Sequence, residues 1–135
     1  MNKELVASVL KEALTGDLDT TVNNINEIRE MIHELSPFKG EPVDFVRWVK
    51  TDAVEANDYN PNSVAPPEME LLRLSIKNDG YTQPVVAWNN EKSEKIEVVD
   101  GFHRTRVCKE FEDVRNRVNG YLPIVGINET CASRN

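Results

Sequence analysis

Apolar residues recur at helical spacing twice in the first forty positions. Leu5, Val6, Val9, Leu10 and Leu14 fall on one side of a helix that Gly16 would stop. Val22, Ile25, Ile28, Ile32 and Leu35 form a second stripe, with Thr20 or Thr21 as the cap and Ser36-Pro37 as the end. A stripe this narrow is read as the packing face of a helical hairpin rather than as a partner-binding arm. Pro37, Gly40 and Pro42 then interrupt the pattern. The expected division is an N-terminal helical segment at 1–40 and a second domain at 41–135.

Beyond that break the pattern mixes strand and helix. Phe45, Val46, Trp48 and Val49 predict a strand, followed by a turn and a short extended stretch around 53–55. Asn57-Asp58-Tyr59-Asn60-Pro61-Asn62 is a dense turn cluster, in which Pro61 pushes Asn60 towards extended geometry. Pro66-Pro67 opens a helix with Glu68 and Glu70 in its first turn, where the dipole favours acids. Met69, Leu72 and Ile76 share its inner face, and Asn78-Asp79-Gly80 ends it. Pro84-Val85-Val86-Ala87-Trp88 reads as a buried strand, and Asn89-Asn90 starts a polar hairpin connection. The return strand covers 95–100, with Ile96 and Val98 on one face. A helix is predicted from Phe102 to about Phe111, with Val107 and Phe111 one turn apart on its buried side. A helical turn or two follows through Val114 and Val118 to Asn119-Gly120, and Tyr121–Ile127 is the last strand. The predicted fold class is α+β, a small mixed sheet with packed helices preceded by a helical segment.

The chain has 135 residues, enough for about one ordinary core. Its net charge of −7 argues against nucleic-acid binding through the whole surface, because phosphate neutralisation needs clustered Lys and Arg. Cys108 and Cys131 are far apart and in no CxxC pattern; with two His in the whole chain, no zinc site is expected and free thiols are. The N-terminus has neither a signal-peptide pattern nor a long apolar run, so a cytoplasmic protein without a membrane span is expected. Trp48 and Trp88 are assigned to the core, Tyr59 and Tyr81 to turn packing near the site, and His33 to the solvated face of the second helix.

The chemistry concentrates in Asp100-Gly101-Phe102-His103-Arg104-Thr105-Arg106. A strand that enters a helix through a glycine presents the first helical N–H groups to an anion, with the dipole adding positive charge. Gly101 permits the sharp turn and a close ligand approach. Arg104 and Arg106 supply the donor fork that suits phosphate oxygens, and His103 can bond a phosphate or move a proton. The segment at 101–120 carries +2 in a chain of −7, which favours an anion there, although part of that charge is read as a solvated helix face.

From Val49 to Ile127 the sequence resembles the ParB/sulfiredoxin superfamily. Four ordered features carry the resemblance: the Asn-Asp-Tyr-Asn-Pro-Asn run, the helix through Ser75-Ile76 to Gly80, Tyr81-Thr82-Gln83-Pro84-Val85-Val86, and Asp100-Gly101-Phe102-His103-Arg104. The last stands where ParB has Gly-Glu-Arg-Arg, sulfiredoxin Gly-Gly-Cys-His-Arg and the free-serine kinases Asp-Gly-His-His-Arg. Within the superfamily the chain is most similar to the immunoglobulin-binding regulator B group of prophage gene-expression co-activators. The resemblance implies a nucleotide- or phosphate-binding turn made by Asp100, Gly101, Phe102, His103, Arg104 and Arg106, with ATP, ADP or CTP and Mg2+ as candidate ligands. Ser75 and Gln83 would be structural. It also implies a partner protein resembling phosphoadenosine-phosphosulfate reductases. Related domains continue into another helix where this chain stops, so a truncated C-terminus is expected.

Departures from the family patterns narrow this. Phe102 replaces the nucleophilic cysteine of sulfiredoxin, and a phenyl ring cannot attack, so sulfiredoxin activity is rejected. His103 replaces one arginine of the ParB pair, which weakens a cytidine-triphosphate clamp, and no ParB helix-turn-helix domain is expected. Asp58 and Glu55 are the nearest candidates for a kinase-like carboxylate, with His103 beside them as a proton carrier. Three hypotheses result: a nucleotide-binding regulatory module acting with a partner, a phosphotransferase or nucleotide hydrolase, and a DNA-binding or nuclease domain. The acidic balance disfavours the third.

Overall fold

A computed structural model describes residues 1–55, 66–89 and 95–128. The turn cluster at 57–62, Asp58 within it, the hairpin connection after Asn89 and Cys131 lie outside the described residues. By internal contacts the chain forms two compact units, Met1–Arg47 and Trp48–Asn135.

The first unit contains two helices, α1 (Lys3–Ala13) and α2 (Leu18–Leu35). Asn2 caps α1 by accepting from the Leu5 N–H at 3.1 Å. The cap of α2 is Asp17 rather than Thr20 or Thr21: its carboxylate accepts from the Thr20 N–H at 3.1 Å. An ionised cap gains from the dipole as well as from the hydrogen bond, which favours Asp17 over a threonine. The Thr20 side chain, the larger influence, and the Thr20 N–H together hold the Asp17 carboxyl below the usual range. Pro37 forces Ser36 into extended geometry (φ −80°, ψ 143°), and α2 ends there. Asn24 joins the helices by donating to the Ala13 carbonyl at 2.7 Å. Of the predicted stripe on α2, Val22 is buried and Ile25 and Ile28 are half-buried, while Ile32 and Leu35 are exposed.

His33 is not the solvated residue that its charged neighbours suggested. It is half-buried, its Nδ1 lies 2.7 Å from Asp44 Oδ2, and its ring stacks on Phe45 at 5.6 Å. The partner sits eleven residues on, so helix periodicity could not reveal it.

The second unit holds a five-stranded mixed sheet. Its strands are β1 (Arg47–Lys50), β2 (Val54–Glu55), β3 (Val85–Trp88), β4 (Ile96–Asp100) and β5 (Tyr121–Ile127), in the order β1-β5-β3-β4-β2. β3 pairs antiparallel with β4 and parallel with β5, and β2 runs parallel to β4. Three helices complete it: α3 (Pro66–Asp79), α4 (Phe102–Glu110) and α5 (Glu112–Arg117). The predicted α+β class and this element order agree. Tyr121 to Val125 are all buried, as expected of an inner strand covered on both faces. β3 alternates instead, with Val85 and Ala87 buried and Val86 and Trp88 half-buried. Neither Trp48 nor Trp88 belongs to the fully buried core. That core is Val54, Met69, Ile76, Val85, Ala87, Val98, Val107, Cys108, Val114, Leu122 and Ile124, with Phe102 and Phe111 packed against it.

Long basic side chains tie the helices together. Arg117 Nη1 donates to the Lys77 carbonyl at 2.9 Å, closing the end of α3 where Gly80 adopts φ +82°. Arg73 reaches Asp113 at 2.9 Å and lies 4.9 Å from the centre of the Phe111 ring, linking α3 to the start of α5.

Candidate functional site

β4 delivers the chain to the turn. Its antiparallel register pairs Asp100 with Val86, so Pro84, two residues before Val86, lies alongside the chain just past the end of β4. Gly101 then turns the backbone with φ +99°, and α4 begins at Phe102 with Gly101 as its N-cap. A side chain could not follow that path. A Cβ on Gly101 would stand 2.9 Å from Arg104 Nη2 and 3.3 Å from Val85 Cα. Thr105 locks the turn from inside: its N–H and its hydroxyl each donate to the Gly101 carbonyl at 3.0 Å. Thr105 is buried, and the motif reading passed over it. The signal available was a hydroxyl four residues after the glycine, the spacing at which Ser and Thr bond back to a carbonyl.

Arg104 folds back over this turn. Its Nη2 donates to the Pro84 carbonyl at 3.2 Å, while its Nε is buried and has no hydrogen-bond partner. Its own main-chain carbonyl accepts from the Tyr81 hydroxyl at 2.9 Å. Tyr81 also packs beside the Cys108 thiol; burial, the largest cause, pushes its phenol well above the ordinary value. Burial likewise pushes the Cys108 thiol up, and that residue is a core group in this fold.

The other sequence-predicted residues do not all converge here. Asp100 ends β4 and is exposed, and His103 is exposed on α4. The Phe102 side chain packs against the core. Arg106 turns to Glu110 at 2.8 Å, one helical turn further on. Glu55 pairs in register with Glu97, three residues before Asp100, which places it ~10 Å back along the strand. Its carboxylate lies 3.8 Å from Lys95 Nζ. The local excess of positive charge has other uses as well: Lys109 donates to the Val54 carbonyl, and Arg115 to the Lys109 carbonyl at 2.7 Å. Among the basic side chains of 101–120, Arg104 is the one seated on the turn. Among the described residues, no group of three or more His, Cys, Asp and Glu side chains is placed to hold a metal ion. No helix among them is long and apolar enough to cross a membrane.

The family model of the ParB N-terminal domain matches residues 37–120, more than half of the chain. The chain belongs to the ParB N-terminal domain family. An uncharacterised protein of Escherichia coli K12, YbdM, is 44% identical over 138 residues, covering 96% of this chain and 66% of that protein. Two solved structures are similar at a TM-score of 0.49. One is the C-terminally truncated chromosome-partitioning protein ParB from Caulobacter crescentus, complexed with CTP-γ-S: 19% identity, covering 62% of this chain and 44% of that one. The other is SbnI with a C-terminal truncation from Staphylococcus aureus: 20% identity, covering 67% and 34%. The chain thus spans just under two thirds of its E. coli relative and less than half of either solved chain. In this ParB N-terminal domain, the matched region takes in the whole turn from Asp100 to Arg106 and both segments that flank Arg104.

Proposed function

We propose that this ParB-like domain binds a nucleotide or another polyphosphate at the Gly101 turn and serves as a regulatory module in gene expression, acting with a partner protein. The observation that carries the reading is the guanidinium of Arg104. It lies against Gly101 with one long hydrogen bond for its Nη2 and none for its buried Nε. A buried donor without an acceptor costs about 1–3 kcal/mol, more when charged, so a chain retains one where a ligand supplies the acceptor. A phosphate oxygen over the turn would meet the guanidinium and the positive end of the α4 dipole together. Mg2+ would enter with the nucleotide, held mainly by phosphate oxygens and water.

Isothermal titration with ATP, ADP and CTP in the presence of Mg2+ tests the reading. Saturable binding that Arg104→Ala abolishes supports it; no heat from any of the three, with wild type and variant alike, refutes it. The co-activator role and the reductase-like partner rest on the likeness of the Asn57-to-Asn62, Gly80-to-Pro84 and Asp100-to-Arg104 segments to that group. Co-purification of the tagged chain with such a reductase tests that part, and its failure leaves the binding site standing.

A further inference from the structure

Two hydrogen bonds cross between the same two segments in opposite directions. The Tyr81 hydroxyl donates to the Arg104 carbonyl at 2.9 Å, and Arg104 Nη2 donates to the Pro84 carbonyl at 3.2 Å. We infer that Tyr81 is a positioning residue for the anion site, pinning the first turn of α4 to the segment before β3 so that the Arg104 side chain alone exchanges Pro84 for an incoming phosphate. The inference rests on the proposed polyphosphate site.

The two bonds differ in the way this requires. The Tyr81 bond is the shorter, it holds main chain, and its donor is half-buried beside Cys108. The Arg104 bond is long and uses one nitrogen of a guanidinium that has a fork to offer. Gly101 leaves the guanidinium room: its Nη2 stands where the missing Cβ would crowd it. A backbone fixed at Arg104 and a side chain weakly held at Pro84 is a preorganised site with one moving part. Preorganisation of this kind lowers the ordering cost of binding. Thr105 pins the next residue to the Gly101 carbonyl, so both ends of the first helical turn are tied while the guanidinium is held by one long bond.

The test is titration with inorganic tripolyphosphate, followed by NMR of the Arg104 Nε–Hε signal and of the Tyr81 ring carbon bearing the hydroxyl. In the wild type, the Arg104 signal moves strongly on binding. The Tyr81 signal stays near its starting position, because its bond persists. Tyr81→Phe keeps the ring and removes the donor. It is expected to weaken binding about three- to tenfold, the worth of one lost hydrogen bond, and to broaden the Arg104 signal in the free state. Equal affinity in Tyr81→Phe with an unchanged Arg104 signal overturns the inference and leaves the site intact. A wild-type chain that binds no tripolyphosphate overturns the site and the inference together. Should Tyr81→Phe fail to fold, the wild-type signals decide: a large Tyr81 shift saturating with that of Arg104 means the bond breaks on binding, which also overturns the inference.

Discussion

Tyr81 and Arg104 are bound to each other through main chain rather than through charge: the phenol holds the arginine's carbonyl at 2.9 Å and leaves the guanidinium to lie over Gly101. This division of one residue into a fixed backbone and a poorly satisfied side chain would separate stability from the proposed binding at the turn.

Arg104→Met should therefore split the two properties. Methionine covers similar apolar contact and removes the unpaired Nε. The free protein is expected to be within about 1 kcal/mol of wild type, or more stable, since replacing a poorly paired, half-buried charge with an apolar group of similar size is often neutral or favourable. Polyphosphate affinity should fall about tenfold or more, the worth of a charge-assisted hydrogen bond. Urea unfolding and calorimetric titration of the same sample check both. Losses of stability and of affinity in proportion would mean that Arg104 is simply a structural residue.

Gly101→Ala should lower stability by roughly 1–3 kcal/mol. The φ of +99° disfavours any side chain, and the new Cβ would meet Arg104 Nη2 at 2.9 Å and the Val85 backbone at 3.3 Å. The guanidinium can move away, but the strand cannot, so strain should remain after Arg104 shifts. Gly40→Ala serves as the control, because nothing lies within 4 Å of its Cβ and its φ is ordinary. Denaturant midpoints that fall equally in both variants would contradict this account.

How much of this was legible in the sequence depended on how local its cause was. The strand, glycine and helix at 96–110 could be read because an apolar alternation, a glycine and a helical spacing follow one another without a gap. The direction of Arg104 could not, because its acceptor is Pro84, brought there by the Val86–Asp100 register across twenty residues. The same limit misplaced His33, whose partner Asp44 lies beyond the end of its helix. The charge count at 101–120 overestimated convergence on the turn for a different reason. It ignored main-chain carbonyls, which take the side chains of Lys109, Arg115 and Arg117. The α2 cap shows the smallest such error: the expected Thr20 or Thr21 lies three or four residues past the ionised Asp17 that caps the helix.

Stability should decline on the alkaline side as Tyr81 and Cys108 titrate. Burial raises both groups above their ordinary values of 10.0 and 9.0. Between the unfolded and folded values the native chain keeps a proton that the unfolded chain has lost, so unfolding becomes easier as pH rises. The loss should begin near pH 9 with the thiol and steepen past pH 10 with the phenol. Tyr81→Phe should be flatter than wild type above pH 10. Urea midpoints across pH 7 to 11 measure it, and parallel curves would show that the phenol is no more hindered in the folded chain than in the unfolded one.

On the acid side the sign reverses, and Asp113 is the residue to test. Its carboxylate takes Arg73 Nη2 at 2.9 Å, the Val114 N–H at 2.9 Å and Lys77 Nζ at 3.4 Å. The Arg73 bond, the largest influence, holds this carboxyl below the usual 3.8. Below that value the unfolded chain binds a proton that the native chain still refuses, so stability present above pH 3.8 is lost as the pH falls. Asp113→Asn can keep the bond from Val114 but not the charge. It should be less stable than wild type at pH 7, and the two curves should converge as pH falls towards 2. Some acid slope must survive in the variant, because Asp17 and Asp44 are lowered by the hydrogen bonds they accept, from Thr20 and from His33. Midpoints that keep a constant gap from pH 7 to 2 would mean that the link between α3 and α5 does not depend on the Asp113 charge, leaving the stacking of Arg73 on Phe111 as its basis.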